Sequence, residues 1–361
     1  MAPDVTPIER LEDQAIAVDP PAIEAEFARI WQETARAGFD ESSVRLRVVN
    51  LVALARSYDE WQRFEDVMRM MSQRHPCRGI LALADPARST LEATIAAHCW
   101  RSVSGQRHVC SEEVLLLGGA RHERHLASAV LALLVPDIPL AVWFTGEAYA
   151  HGPLASALLE SADQVILDSA RSTGILRLFD SVLRLSETHE AIPSDLAWLR
   201  LSVWRELIAQ MFDDPTHATE LRRLTTITID GAPAASEPLL LAGWLVSRLG
   251  YQPASVTSGR GELRATLYSG SRAVSLLVRQ KSGAPLETVE LRSADATFSV
   301  IWHAESGHLH IDARARADDV RRRVVEPPPT DDASMIGLAL DGEGDVAVYA
   351  ESVRAIQSLV S

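Results

Sequence analysis

Hydrophobic and polar residues in the first half of the chain follow two alternating patterns. Apolar residues at helical spacing over residues 20–39 predict a helix, and the β-branched, apolar run 45–54 is typical of a buried strand. A helix over 58–73 and a strand over 78–84 follow, and the turn at Asp85-Pro86 ends that strand. This order of strand, helix and strand predicts a sheet covered by helices.

Two further strand-like segments, 90–100 and 109–117, flank the polar stretch 101–108 and predict an antiparallel hairpin. A helix over 122–134, a strand over 140–144, a helix over 154–160 and a strand over 164–167 continue the alternation. Packing these elements in this order gives a mixed sheet with helices on its faces.

The apolar run over residues 126–144 has nearly the length of a membrane span, but Pro136, Asp137 and Pro139 interrupt it. A membrane helix needs roughly 20 mostly apolar residues with a satisfied backbone, and two prolines and an acid would break it. We therefore interpret this run as a buried helix, a turn and a buried strand.

The second half begins with a predicted helix over 195–212, started by Pro193-Ser194-Asp195. A strand over 224–231 and a helix over 239–249 follow, and Gly250 ends that helix. Residues 251–325 then alternate apolar and polar positions between glycine and serine turns, which predicts an antiparallel sheet. Pro327-Pro328-Pro329 predicts a stiff linker before a helical tail over 335–360.

The predicted fold class is α/β plus α+β, with an N-terminal mixed sheet covered by helices and a C-terminal antiparallel β-rich domain. The corresponding segments are an N-terminal helical extension (1–44), an α/β domain (45–190), a helix-led β-rich domain (191–326), and a linker with a C-terminal helix (327–361). This α/β pattern also allows a sugar-phosphate-binding sensor or enzyme, because fold class alone does not define function.

Composition narrows the range of partners. The chain has 361 residues, a hydrophobic share of 47% and a formal net charge of -14. Such an acidic protein would be repelled by nucleic-acid phosphates and by anionic membrane surfaces, so we expect neither as a partner. The N-terminus lacks a cationic segment followed by an apolar one, and a cytoplasmic location is expected. Three cysteines are too few for a disulfide framework.

The search for catalytic motifs finds none. Gly118-Gly119 and Gly259-Arg260-Gly261 lack the spacing of a phosphate-binding loop, and no Gly-x-Ser-x-Gly motif is present. The histidine groups, residues 122 and 125 and residues 303, 308 and 310, lack the companions that a zinc site requires. We therefore expect no catalytic residue, no cofactor and no metal.

Two cysteines carry the most plausible chemical signal. If the hairpin turns at Ser104-Gly105 through a two-residue loop, Cys99 lies opposite Cys110. A redox-sensing dithiol is then geometrically possible, although buried free cysteine is also common in strands. Cys99 and Cys110 are therefore the candidate redox residues.

Tryptophans and arginines supply the candidate residues for a protein interface. Both residue types are enriched among interface residues that contribute most to affinity, and arginine suits bidentate contacts with carboxylates. The alternative is that the tryptophans anchor the core and the arginines pair with acids such as Asp137, Asp168 or Asp213 within the protein. The partner-binding candidates are Arg78, Trp143, Trp198, Trp204 and Arg205.

Several short sequence motifs occur in an order typical of one protein family. They are His75-Pro76-Cys77-Arg78, Val109-Cys110-Ser111-Glu112-Glu113, residues 134–139, Ile166-Leu167-Asp168-Ser169, residues 195–205 and Ala242-Gly243-Trp244-Leu245. With them, the chain resembles the glucose-6-phosphate dehydrogenase assembly protein family from about residue 45 to residue 250. One departure is that Trp143 is followed by Phe144, where the family usually has a second tryptophan.

This resemblance implies a function without catalysis. A member of the family would bind tetrameric glucose-6-phosphate dehydrogenase, favour its assembled and active form, and thereby support NADPH supply in the oxidative pentose phosphate pathway. In photosynthetic relatives the family is tied to thioredoxin-dependent redox control, which makes thioredoxin a further expected partner. Of the three cysteines, only Cys77 and Cys110 lie in the sequence motifs of the family.

Overall fold

The computed structural model describes eleven stretches of the chain: residues 16–36, 44–45, 47–71, 74–85, 89–101, 108–119, 123–146, 152–188, 191–259, 261–315 and 320–360. The chain divides into two compact units. Unit 1 comprises Met1–Arg171, Arg184–Ser194 and Asp331–Gly342, and unit 2 comprises Ser172–Leu183, Asp195–Thr330 and Glu343–Ser361. The domain boundaries expected from the sequence follow chain order alone, and they stay predictions.

Unit 1 is built on a nine-stranded mixed sheet in the order β1-β5-β6-β4-β3-β7-β8-β9, with β2 paired to β6. Its strands are β1 Ile16–Val18, β2 Val44–Arg45, β3 Val49–Ala55, β4 Cys77–Ala84, β5 Glu92–Arg101, β6 His108–Gly118, β7 Leu140–Phe144, β8 Gln164–Leu167 and β9 Ile192–Asp195. The helices α1 Ile23–Arg36, α2 Tyr58–Met71, α3 Glu123–Leu133, α4 Pro153–Leu159 and α10 Asp332–Leu340 belong to the same unit.

The central strands of this sheet are parallel and buried. β3 pairs in parallel with β4 on one side and with β7 on the other, while β6 and β8 extend the sheet outward. Every residue of β7 is buried, as expected for a parallel strand covered by helices on both faces. From β3 the chain builds the sheet first towards β6 and then, from β7, in the opposite direction. The boundary between β3 and β7 is therefore a topological switch point.

Unit 2 contains an eight-stranded sheet in the order β11-β12-β13-β10-β14-β15-β16-β17. Its strands are β10 Thr226–Gly231, β11 Gln252–Gly259, β12 Glu262–Ser269, β13 Arg272–Gln280, β14 Thr288–Arg292, β15 Ala296–His303, β16 His308–Ala315 and β17 Val320–Val325. The helices α6 Leu196–Arg200, α7 Ser202–Gln210, α8 Pro215–Leu221, α9 Glu237–Arg248 and α11 Val346–Val360 belong to this unit, and α5 Ile175–Thr188 contains residues of both units.

The predicted fold class is confirmed, with local corrections. All neighbouring strands of the second sheet are antiparallel except β10 and β13, because β10 enters from the helical segment and is inserted between later strands. The predicted helix over 195–212 is divided into α6 and α7 at Leu201. The predicted C-terminal helix is likewise α10 and α11, separated by Gly342 and Gly344 with positive φ. Helix α5 was not predicted, although its buried Leu178, Phe179, Val182 and Leu183 have helical spacing.

Among the helices of the described stretches, none is long and apolar enough to cross a membrane. The run over residues 126–144 forms the end of α3, a turn and β7, as the two prolines predicted. Asp137 in that turn has a φ of 63°, a left-handed conformation that aspartate adopts more readily than most residues.

Candidate functional site

The carboxyl ends of β3 and β7 are the position where a doubly wound sheet ordinarily binds a ligand. Ala55 ends β3, and α2 begins three residues later at Tyr58, so the N-terminus of α2 lies at this edge. Thr145 and Gly146 directly follow β7. In dinucleotide-binding proteins of this topology, a glycine-rich turn and the helix N-terminus hold the pyrophosphate here.

In this chain the carboxylate of Glu60 occupies that helix N-terminus. Its Oε2 accepts hydrogen bonds from the backbone N–H of Arg56 at 2.7 Å and from the Thr145 hydroxyl at 2.9 Å. The backbone N–H of Glu60 donates to the Ser57 hydroxyl at 3.3 Å, which completes a capping arrangement. A Cβ at position 146 would lie 2.1 Å from Oε1 of Glu60, so a larger residue there would displace the Glu60 carboxylate.

Charged side chains of α2, of α10 and of the segment after β8 lie at the same edge. Arg63 of α2 donates through Nε and Nη2 to Oδ2 of Asp332, at 2.9 and 2.7 Å, and through Nη1 to the carbonyl oxygen of Thr145. Arg171 lies 3.5 Å from Asp332 and 3.3 Å from the buried carboxylate of Asp168. These arginines are therefore neutralised by acids of unit 1 itself.

The residues at this edge do not fit a dinucleotide. The connection from β3 to α2, Arg56-Ser57, contains no glycine, and the Glu60 carboxylate already accepts from the backbone N–H of Arg56. A pyrophosphate would also meet the negative charge of Glu60 at close range. Glu60 is not among the residues predicted from the sequence, although the Ser57-x-x-Glu60 spacing is a recognisable capping signal.

Arg78, a predicted interface residue, is buried within unit 1, with 2% of its surface exposed. Its Nε donates to Oε2 of Glu112 at 2.8 Å, its Nη1 donates to the carbonyl oxygen of Leu133 at 2.9 Å, and it also pairs with Glu24 of α1. Glu112 accepts further hydrogen bonds from Trp31 and Arg47. Burial raises the pKa of Glu112, but Arg78 and Arg47 outweigh this effect and hold the pKa below its usual value. The network joins α1 to the sheet.

Trp143 is also enclosed in unit 1. It has no exposed surface, its ring stacks on Phe64 at a centroid distance of 6.5 Å, and Arg63 lies 5.6 Å from its ring centroid. Its indole N–H has no hydrogen-bond partner among the described residues. In the isolated chain this tryptophan packs in the core beside the switch-point edge.

The other three predicted interface residues belong to unit 2. Trp198 is 2% exposed and packs against Tyr349, with ring centroids 5.5 Å apart. Trp204 is 7% exposed, on the buried side of α7. The guanidinium of Arg205 lies 3.6 Å from the centroid of the Trp198 ring, and its Nη1 donates to the carbonyl oxygen of Trp198 at 2.7 Å.

Arg205 differs from the other candidates in two respects. It is partly exposed, whereas Arg78 and the three tryptophans are buried. No carboxylate of the described stretches forms an ion pair with it, and burial alone lowers its pKa to about 10. The structure thus brings Trp198 and Arg205 together, and it places Arg78 and Trp143 in the other unit. That these five residues contact a partner stays a prediction.

The predicted cysteine pairing is confirmed at the level of backbone register. Cys99 and Cys110 are directly opposed in the antiparallel β5–β6 ladder, and Cys110 is disulfide-bonded. The predicted turn at Ser104-Gly105 lies outside the described residues. Cys77 is a buried thiol, and burial raises its pKa to about 12. Within the described stretches, no group of three or more histidine, cysteine or acidic side chains could hold a metal ion.

Comparison with known structures places this fold in a class. The Bacillus subtilis protein yvaA, named as an oxidoreductase, superposes with a TM-score of 0.50 at 10% identity, covering 87% of this chain and 96% of that chain. At this identity, the likeness is one of fold alone. The class is therefore an α/β fold that is also found in oxidoreductases.

Sequence comparison then identifies the family. Residues 68–182 match the glucose-6-phosphate dehydrogenase subunit N-terminal domain, and residues 192–353 match the C-terminal domain of the same subunit. The chain belongs to the glucose-6-phosphate dehydrogenase assembly protein family, as its sequence motifs indicated.

Two relatives carry the name OpcA and are named for the OxPP cycle. The protein of Nostoc punctiforme is 32% identical over 200 residues, which are 54% of this chain and 42% of the relative. The protein of Synechococcus elongatus is 27% identical over 312 residues, which are 80% of this chain and 68% of the relative. The match thus spans less than half of the Nostoc protein's length.

Proposed function

We propose that this protein is a non-catalytic assembly factor and allosteric activator of glucose-6-phosphate dehydrogenase. It would bind the tetrameric enzyme in the cytoplasm and thereby support NADPH production in the oxidative pentose phosphate pathway. Family membership supports the choice of partner. The observation that carries the non-catalytic part is the Glu60 carboxylate at the switch point, hydrogen-bonded to Arg56 and Thr145.

With Glu60 at the switch-point edge, the chain would have the fold of these enzymes without their cofactor chemistry. An oxidoreductase needs its nicotinamide cofactor held at the switch point, and the phosphates of that cofactor need free backbone N–H groups. Here the Glu60 carboxylate accepts from the backbone N–H of Arg56, and Arg63 donates to Asp332 and to the carbonyl oxygen of Thr145. Such a chain can keep the architecture of an oxidoreductase while acting only through its surface.

Activation requires differential binding. A regulator that binds active and inactive forms of the dehydrogenase equally tightly shifts nothing, whatever its affinity. A tenfold shift towards the active tetramer needs about 1.4 kcal/mol of additional affinity for that form. This is about the free energy that one well-placed charged hydrogen bond at an interface can contribute.

Redox control through thioredoxin is a further part of this proposal. A thioredoxin dithiol would transfer two electrons and two protons to the disulfide of Cys110, producing two cysteine thiols and a thioredoxin disulfide. The position of Cys110 opposite Cys99 in the β5–β6 ladder supports an intrachain pair. Incubation of oxidised protein with reduced thioredoxin, followed by thiol labelling, tests it, and the absence of new thiols would exclude this control.

The test of the main proposal is a kinetic titration of the cognate dehydrogenase. We expect saturable activation, together with co-elution of the two proteins on size-exclusion chromatography. The sugar-phosphate sensor or enzyme makes the opposite prediction, because it needs no dehydrogenase. Calorimetry of the isolated chain with glucose 6-phosphate and with NADP⁺ separates the two, since tight binding of either ligand would favour the sensor or enzyme.

A further inference from the structure

Arg205 is held in place by contacts within unit 2, and no acid of the described residues forms an ion pair with it. Its guanidinium lies against the face of the Trp198 ring at 3.6 Å, and its Nη1 is bonded to the Trp198 carbonyl oxygen at 2.7 Å. The aromatic ring and the carbonyl group together restrict where the guanidinium can lie. Because the side chain is already restricted in the free protein, it loses less conformational entropy when it binds a partner.

Several other arginines of unit 2 have acidic partners. Arg321 pairs with Asp214 at 2.9 Å, Arg248 pairs with Glu351, and Arg223 lies 3.5 Å from Glu220. Arg205 has no such partner among the described residues. A partly buried cation without a counter-charge carries a desolvation cost that its contact with Trp198 only partly offsets.

Trp198 itself is held firmly. It is 2% exposed, it packs against Tyr349, and the Tyr349 hydroxyl donates to Oδ2 of Asp195 at 3.0 Å. Asp195 in turn caps α6 by accepting from the backbone N–H of Ala197 at 3.0 Å. The ring against which Arg205 stacks is therefore a well-packed part of unit 2.

We propose that Arg205, held by Trp198, binds an aspartate or glutamate carboxylate of the dehydrogenase. The inference rests on the proposed function, since it takes the dehydrogenase as the partner. Nη1 is engaged with Trp198, and the remaining N–H groups can form charge-assisted hydrogen bonds with a carboxylate. Docking would exclude water from the pair, and arginine with tryptophan is a combination enriched among the residues that contribute most to interface affinity.

Four variants of the full-length chain test this assignment, and their dissociation constants for the intact dehydrogenase are measured by surface plasmon resonance. Arg205→Ala should raise Kd by at least about tenfold, mainly through faster dissociation. Arg205→Lys keeps the charge and should lie between Arg205→Ala and the wild type. Arg205→Glu should bind least. The matched control, Arg264→Ala, removes an exposed arginine that already pairs with Glu262 and should leave Kd unchanged.

Two further readouts distinguish a carboxylate contact from a structural role. Methylguanidinium should partly restore the affinity of Arg205→Ala and leave the wild type unaffected. One Asp→Asn or Glu→Gln variant of the dehydrogenase should bind the wild type and Arg205→Ala equally, because the pair is already broken. If Arg205→Ala does not fold, Arg205→Lys carries the test, since its ammonium group can still donate to the Trp198 carbonyl oxygen.

The possible failures are distinct. If the wild-type chain does not bind the dehydrogenase, both the proposed function and this inference are wrong. If the wild type binds and folded Arg205 variants bind within twofold of it, the function stands and the role of Arg205 is wrong. Saturable binding of inorganic phosphate to the free wild-type chain, lost in Arg205→Ala, would also overturn the inference, because the site would then take a small anion.

Discussion

The Thr145 hydroxyl donates a hydrogen bond to the Glu60 carboxylate at 2.9 Å, and this contact joins the residue after β7 to the first turn of α2. It crosses the switch point where related architectures hold a cofactor. The same carboxylate accepts from the backbone N–H of Arg56. The Glu60 side chain thus contributes to the local fold and supports the proposal that the chain is not catalytic.

Replacing Glu60 with alanine should destabilise unit 1 without creating a cofactor site. The backbone N–H of Arg56 and the Thr145 hydroxyl would each lose an acceptor, and we expect the free energy of unfolding to fall by about 1–2 kcal/mol. Urea denaturation measures this change, and Asp59→Ala in the same helical turn is the exposed control. Tight NADP⁺ binding by the wild-type chain would contradict the assignment of Glu60.

Breaking the buried pair of Arg78 and Glu112 should release α1. Arg78→Met leaves Glu112, which is 1% exposed, without its strongest partner, and the expected loss is about 3–5 kcal/mol. Hydrogen exchange should increase in α1 and β6, with the strands of unit 2 as internal reference. Arg69→Met, which removes an exposed pair with Asp66, should cost less than about 1 kcal/mol. Equal protection of α1 in both variants would mean that the network does not hold this helix.

Acid should weaken the same network. Because the pKa of Glu112 in the folded protein lies below its usual value of 4.5, its stabilising contribution is fully present above that value and is lost as pH falls through the folded pKa. We therefore expect the stability difference between wild type and Glu112→Gln to be constant from pH 7 to about pH 5 and to shrink at lower pH. Thermal unfolding over this range measures it, and a difference that grows on acidification would refute the assigned sign.

We expect the substitution of Trp204 to affect the stability of the protein more than its binding to the dehydrogenase. It is 7% exposed, and Trp204→Ala should remove about 3–5 kcal/mol. Trp204→Phe keeps an aromatic ring in the core and serves as the milder comparison. Binding measured well below the unfolding transition distinguishes the two roles. If Trp204→Ala stays folded yet no longer binds the dehydrogenase, Trp204 is an interface residue despite its burial.

Reduction should lower the melting temperature. A disulfide between Cys99 and Cys110 closes a loop of about ten residues, which corresponds to about 2–3 kcal/mol in the chain-entropy account. A reductant should therefore destabilise the wild type and have no effect on Cys110→Ser. Alkylation of unfolded, unreduced protein should modify Cys77 alone. Modification of all three cysteines would rule out the pairing.

Strand assignments and hairpin register could be predicted because they depend on local patterns. The opposition of Cys99 and Cys110 followed from the symmetry of one hairpin. The insertion of β10 beside β13 could not be predicted, because it pairs segments that are far apart in the sequence, such as Thr226 with Ser275. The break at Leu201 was also missed, since a single residue between two helices does not disturb the apolar periodicity.

The candidate site was harder to predict than the fold. Arg78 and the tryptophans were selected as partner-binding candidates, which stays a prediction, because composition does not reveal whether a tryptophan lies inside or outside. Glu60 has a local capping signal, whereas its contact with Thr145 joins positions 85 residues apart. That Arg205 has no acidic partner among the described residues likewise becomes visible only in the folded chain.

The most direct test of the central claim is steady-state kinetics of purified glucose-6-phosphate dehydrogenase titrated with this chain, alongside the chain alone with glucose 6-phosphate and NADP⁺. The proposal predicts that the enzyme's KM falls or its kcat rises to a plateau at a fixed stoichiometry, and that the chain alone produces no NADPH. Unchanged kinetics at saturating concentration, or NADPH formation by the chain alone, would contradict it.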